Sequence, residues 1–261
     1  MAYHIVATNM EPDPTKRFSS RVEDYIRYRP SYPPAVLAWI ASECGLTPQS
    51  CIADIGSGTG ILSRLFLDFG CEVYGVEPNA DMRAGAERQL AADTRFHSID
   101  GRAEATTLPD AGADFVTAGQ SFHWFDAAAA RDEFPRVLKP QGWVVLIWNE
   151  RLVREGFLTA YENMLQRLST DYGRVDHRRI DSAEIARFFG DRPFRVAAFP
   201  NHQDFNWDGI RGRLLSSSYA PLPGSPNYAP MMEELEAMFT KYQQNGRVKL
   251  LYETKVYAGQ L

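Results

Sequence analysis

Residues 51–60 read CIADIGSGTG, and their reading decides the fold. A short apolar run, Cys51 to Ile55, ends in Gly56, Gly58 and Gly60, and the amphipathic stretch ILSRLFLDFG follows at once. That order spells a buried strand, a tight turn and a helix start. A second apolar run, CEVYGVE, closes on the acid Glu77, seventeen residues past Gly60. A glycine turn admits a ligand to the backbone, and a carboxylate about 20 residues on accepts hydrogen bonds from ribose hydroxyls. The unit reads as a nucleoside-binding βαβ.

Strand and helix patterns alternate from Cys51 to Glu150. Strands are expected near 51–55, 72–76, 95–99, 113–118 and 143–148, with helices over 60–69, 79–91 and 126–138 between them. Pro140 and Gly142 mark the turn into the fifth strand. Such alternation predicts a parallel sheet with helices on both faces, a doubly wound α/β fold. Upstream, Val22, Tyr25 and Ile26 keep helical spacing until Pro30, and Val36, Leu37 and Ile40 resume it. Past Asn149 the rhythm changes. One helix is expected in EGFLTAYENMLQRLSTDY and another in SAEIARFFG, with Ser182 as its cap. The strand FRVAAFPNHQDFNW, the Pro-rich loop APLPGSPNYAP, the helix MMEELEAMFTKYQQ and the strand VKLLYETKVYAGQL complete the chain.

A net charge of −5 supplies no basic footprint, which argues against nucleic acid or an anionic membrane as a partner. The N-terminal MAYHIVATNMEPDPTKRF holds no apolar signal core, and no run approaches the ~20 apolar residues of a membrane span. Cys44, Cys51 and Cys71 lack zinc-ligand spacing and read as small hydrophobes kept reduced in a cytoplasm. The expectation is a soluble cytoplasmic protein, monomer or homodimer, without a metal.

The dinucleotide fingerprint GxGxxG needs a small third residue where the helix packs on the strand. Counted from Gly56, that place holds Ile61, and the spacing here is GxGxG behind Asp54. This D-I-G-S-G-T-G, with Ser57 inside it, resembles motif I of the class I S-adenosylmethionine (SAM) dependent methyltransferases. Four blocks follow that family in order. Motif I is the first, and Glu77 with Pro78 is the second; the resemblance gives Glu77 the ribose hydroxyls and Pro78 the adenine. The third, IDGRAEATTLP, is similar to the adenine-edge motif G-D-A-E-x-L-P, with Arg102 in place of its aspartate. Asp100 or a backbone carbonyl could replace that aspartate, and Ala103, beside Glu104, could offer its N–H to the ring. The fourth joins DFVTAGQSFHWFD, which brings Gln120, His123 and Trp124 to the methyl donor, to RVLKPQGWVVLIWNE.

The segment FSSRVEDYIRYRPSYP resembles the N-terminal lid of small-molecule enzymes of the trans-aconitate-methyltransferase-like, type 11 group. There a tyrosine and an arginine close over the donor, which carries over to Tyr25 and Arg29. An arginine can clamp the donor's carboxylate bidentately. The alternative is a solvated helix face on which Arg21, Asp24 and Arg29 pair.

The resemblance implies seven mostly parallel strands, the last antiparallel, in a Rossmann-like sheet with a helical cap inserted before the last strand. It divides the chain into an arm and lid over 1–34, a SAM-binding core over 35–150 and a C-terminal part of the same domain over 151–261. The cap falls at about 207–247. No Asn/Asp-Pro-Pro-Tyr or Pro-Cys motif is present, so a small-molecule acceptor is expected, through a carboxylate or hydroxyl oxygen. His123 is the candidate base for a hydroxyl, and Trp124, Trp148 and Tyr219 are candidate pocket walls. A SAM-binding sensor without catalysis and a nicotinamide-dependent oxidoreductase stand as alternatives.

Overall fold

A computed structural model describes residues 21–170, 172 and 182–261. The arm over 1–17 and the first lid residues, 18–20, lie outside the described residues, as does the Ser182 side chain. The lid and the segment behind it form helices α1 (Val22–Tyr28) and α2 (Ala35–Cys44). The core then runs β1 (Cys51–Ile55), α3 (Ile61–Phe69), β2 (Glu72–Val76), α4 (Ala80–Leu90), β3 (Phe96–Ile99), β4 (Ala113–Gly119), α5 (Ala127–Val137) and β5 (Leu138–Arg151). After it come α6 (Phe157–Leu168), α7 (Ser182–Phe189), β6 (Phe194–Phe205), α8 (Trp207–Leu215), α9 (Tyr228–Tyr242) and β7 (Val248–Gly259).

Seven strands form one sheet in the order β3-β2-β1-β4-β5-β7-β6, with β7 antiparallel to both its neighbours. Because strand side chains alternate, each strand feeds two cores. Ile52, Val73, Phe115, Val145 and Ile147 face α2 and α3, where Ile40, Phe66 and Leu67 wait. Ala53, Val76, Val116, Leu146 and Trp148 face α5 and α7, against Phe134, Ile185 and Phe188. Helices cover both sides of the sheet, as the alternating pattern requires.

Two elements depart from the sequence reading. The turn expected at Pro140 and Gly142 is a bulge inside a longer β5: Leu138 pairs with Ala113, but Trp143 already pairs with Phe115. The strand read through Trp207 stops at Phe205, and helix α8 begins there, capped by the Asn206 side chain on the Gly209 amide at 2.9 Å. Gly209 and Gly212 hide this helix from a propensity argument. Packing retains them: a Cβ on Gly209 would meet Phe205 Cδ1 at 2.8 Å, and one on Gly212 would run into the Tyr28 ring.

The first third of β7, residues 248–251, pairs only with β6, and a third apolar cluster gathers around this two-stranded end. Ile210 and Leu214 of α8 pack there with Met231 and Leu235 of α9 and with Leu250 and Tyr252 of β7. Helix α6, which precedes the insertion, joins the cluster through Tyr161 and Leu165.

Candidate functional site

The register β1 to β2 sets Ile55 beside Val76, so the glycine turn and Glu77 leave the sheet side by side. The Gly56 amide donates to Val76 O at 2.8 Å and fixes the turn to β2. Gly56, Gly58 and Gly60 all have positive φ (+65°, +58° and +83°), a region that side chains resist. This is the carboxyl edge of the strands between β1 and β4, where the strand order reverses and open α/β sheets bind ligands.

A cavity of about 540 Å³ lies there. Gly56, Gly58, Glu77 and Pro78 form one wall, and Arg102, Ala103 and Glu104 another. Gln120 and Trp124 also line it, as do Tyr25 and Arg29 of the lid. A recess of about 50 Å³ adjoins it, lined by Asp54, Ser57 and Thr59 together with Tyr25, Arg29 and Arg213. Gly60 lines neither space; a Cβ there would meet Leu90 Cδ1 at 2.7 Å, so its part is helix packing.

Glu77 Oε2 accepts the Gly58 amide and Oε1 the Asn79 amide, both at 2.9 Å. Burial raises its pKa, while those two amides and Arg83 pull it back. Asp54 is fully buried, accepting from the Ser63 hydroxyl at 2.6 Å and the Thr117 hydroxyl at 3.2 Å. Burial pushes it up to about 7 despite these bonds.

At the third block, Arg102 and Ala105 exchange backbone hydrogen bonds at 3.1 Å, which holds Arg102–Glu104 against the cavity. Asp100, the residue named as a substitute for the missing aspartate, does not line the cavity; its exposed carboxylate is paired with Arg83 at 3.0 Å. Past β4, Gln120 adopts φ +56° and accepts the Asn149 amide with its side chain. A non-glycine residue with positive φ at a strand exit is strain held by its surroundings.

The acceptor residues are not brought together as expected. Trp124 reaches the cavity. His123 is no wall residue; its ring lies 4.3 Å from Trp124 and edge-on 5.2 Å from Trp148. Trp148 is core, because strand alternation sends it with Leu146 toward α5 and α7. Tyr219 is buried in the cap against Tyr172, ring centroids 4.9 Å apart. Sequence reasoning missed Met82, Phe125, Asn149, Tyr252 and Arg213 as wall residues. The strand-end position of Asn149 was a usable signal; Arg213 offered none.

Arg29 is extended (φ −72°, ψ 145°), as Pro30 behind it predicts. Its guanidinium lies 4.7 Å from the Tyr25 ring centre and donates to Ser216 O at 3.0 Å. Arg21 donates to Ser217 O and to Ala220 O, so both lid arginines reach carbonyls at the end of α8. Among the described residues no His/Cys/Asp/Glu group could hold a metal, and no helix is long and apolar enough to cross a membrane. The three cysteines are free, and burial pushes each thiol up to about 11, which leaves them poor nucleophiles.

Residues 53–146 match the family model described as a methyltransferase domain. An uncharacterised methyltransferase of Schizosaccharomyces pombe is 29% identical over 77% of this chain and 78% of its own. A candidate type II methyltransferase from Anaeromyxobacter dehalogenans shares the fold, with TM-score 0.66 at 21% identity over 89% of this chain and 98% of that one. The fold is also that of Haemonchus contortus phosphoethanolamine N-methyltransferase 2, solved with SAM bound (TM-score 0.54, 16% identity, 95% of this chain and 58% of that one).

Proposed function

We propose that this chain, which belongs to the class I SAM-dependent methyltransferases, transfers a methyl group to a carboxylate oxygen of a small molecule. The observation that carries the reading is the cavity of about 540 Å³ beside the glycine turn, lined by Tyr25 and Arg29 of the lid, by Trp124 and by the sheet edge.

The residues fit the donor. Gly58 lines the cavity with no side chain between ligand and backbone, and the buried Glu77 carboxylate lines it too, placed to accept from ribose hydroxyls. Pro78, Met82 and Ala103 offer apolar and amide contacts for the adenine, and Tyr25 with Arg29 covers the amino-acid end. When bound, SAM supplies an electrophilic methyl group that needs no further activation. The chain itself lines up the acceptor, keeps water out under the lid and holds the walls rigid. A carboxylate acceptor presents its lone pair without losing a proton. This accords with His123 packing between tryptophan rings instead of facing the cavity. A hydroxyl acceptor is the runner-up.

The test is incubation of the protein with methyl-labelled SAM and separate pools of carboxylic acids, phenols and alcohols. Alkali-labile label, released as methanol, is expected from the acid pool. Label that resists alkali, on a hydroxyl or an amine, would overturn the carboxylate reading. Donor binding without turnover on any pool would favour the sensor alternative.

A further inference from the structure

The cap brings a second guanidinium into the donor site. Arg213 of α8 is 6% exposed and reaches the same recess as Arg29 and the Gly56–Thr59 backbone. Its Nη1 donates to Ser217 Oγ at 3.0 Å and its Nε to the Tyr252 hydroxyl at 3.3 Å, which aims the group without neutralising it. Arg29 Nε is buried there with no hydrogen-bond partner among the described residues. Burial, and then the Arg213 charge, pull Arg29 below the usual guanidinium value. Arg213 moves the other way: burial opposes its charge, but the phenols of Tyr252, Tyr219 and Tyr161 outweigh it. The acid facing them is Asp54, which burial pushes up to about 7. Two guanidiniums beside a single carboxylate leave a net positive charge in a buried recess, and entry of an anion offsets it.

The recess has about 50 Å³, room for a few heavy atoms. It abuts the glycine turn, where the methionine half of the donor belongs. We propose that Arg213 is a donor-binding residue, and that the amino-acid carboxylate of SAM is held between Arg29 of the lid and Arg213 of the cap. This rests on the methyl-donor reading above. Its consequence is that the donor joins the two elements that roof the acceptor cavity. Recognition of the donor's tail then belongs to the insertion as well as to the glycine turn.

Calorimetric titration of the full chain with S-adenosylhomocysteine and with 5′-methylthioadenosine tests it, because the second ligand lacks the carboxylate. Arg213→Met is expected to lose about ten- to hundredfold in affinity for S-adenosylhomocysteine, with less than about twofold change for methylthioadenosine. Arg213→Lys should recover part of the loss. Unchanged affinity for both ligands would make Arg213 a packing cation of the cap and overturn the assignment. Equal losses for both ligands would overturn it too, as cap damage. If the unmodified chain binds neither ligand, the methyl-donor reading itself fails.

Discussion

The Glu77 carboxylate accepts the Gly58 amide at 2.9 Å, joining two motifs nineteen residues apart. Its other oxygen accepts the Asn79 amide at 2.9 Å, so the group expected to face ribose also orders the turn beside it. The proposed ribose contact and the local order of the turn therefore meet in one side chain.

Glu77→Ala should weaken S-adenosylhomocysteine binding by ~1–3 kcal/mol, the loss of charge-assisted hydrogen bonds in a partly buried site. Titration calorimetry measures it, and unchanged affinity would remove Glu77 from the ribose.

Gly56 and Gly58 should separate stability from binding. A Cβ on Gly58 would meet only the flexible Met82 Cε at 3.3 Å, whereas one on Gly56 would lie 2.6 Å from Ser121 Cβ. Gly58→Val should stay folded, at a cost of about 1–2 kcal/mol for its left-handed backbone, and lose donor binding. Gly56→Val should lose more stability. Thermal melts of the two variants beside donor titrations decide this; a Gly58→Val protein that binds normally defeats the assignment of the turn.

Asp54 should make stability fall as pH rises. Burial pushes its folded pKa up to about 7, against about 3.9 unfolded, so between those values the native state holds the extra proton. Its contribution is complete below about pH 4 and is lost as pH rises through about 7. Asp54→Asn cannot ionise, so from about pH 5 to about pH 8 the variant should gain on the parent by roughly 2–4 kcal/mol in urea unfolding. A gap that does not change with pH would show an ordinary carboxylate.

Lid and cap should respond to the donor together. Arg29 is bonded to Ser216 O, Gln203 Nε2 donates to Tyr28 O at 3.1 Å, and the Tyr28 ring lies against Gly212. Hydrogen exchange with S-adenosylhomocysteine should slow in α1 and α8 alike, the order–disorder behaviour of a gating element. Gly212→Ala should push Tyr28 aside, speed exchange across α1 and lower donor affinity. Protection of α1 alone would mean that the lid closes without the cap.

The residues proposed to carry the donor were legible because their signals are local. Cys51–Glu77 holds a buried strand, positive-φ glycines, an amphipathic helix and a strand-end acid, and each needs only its neighbours to be read. Short apolar runs alternating with helical spacing likewise announced the parallel core. Only the tertiary structure decided how the acceptor side is built. Trp148 and Tyr219 read as walls, yet strand alternation turns the first into the core and cap packing buries the second. Helix α8 was masked by Gly209 and Gly212, whose missing side chains make room for Phe205 and Tyr28. Arg213 carried no signal in the sequence, and the Arg29 contact with Ser216 spans 187 residues of sequence. Such pairs have no spacing rule, because the folded β6–β7 ribbon, and not the chain between them, brings them together.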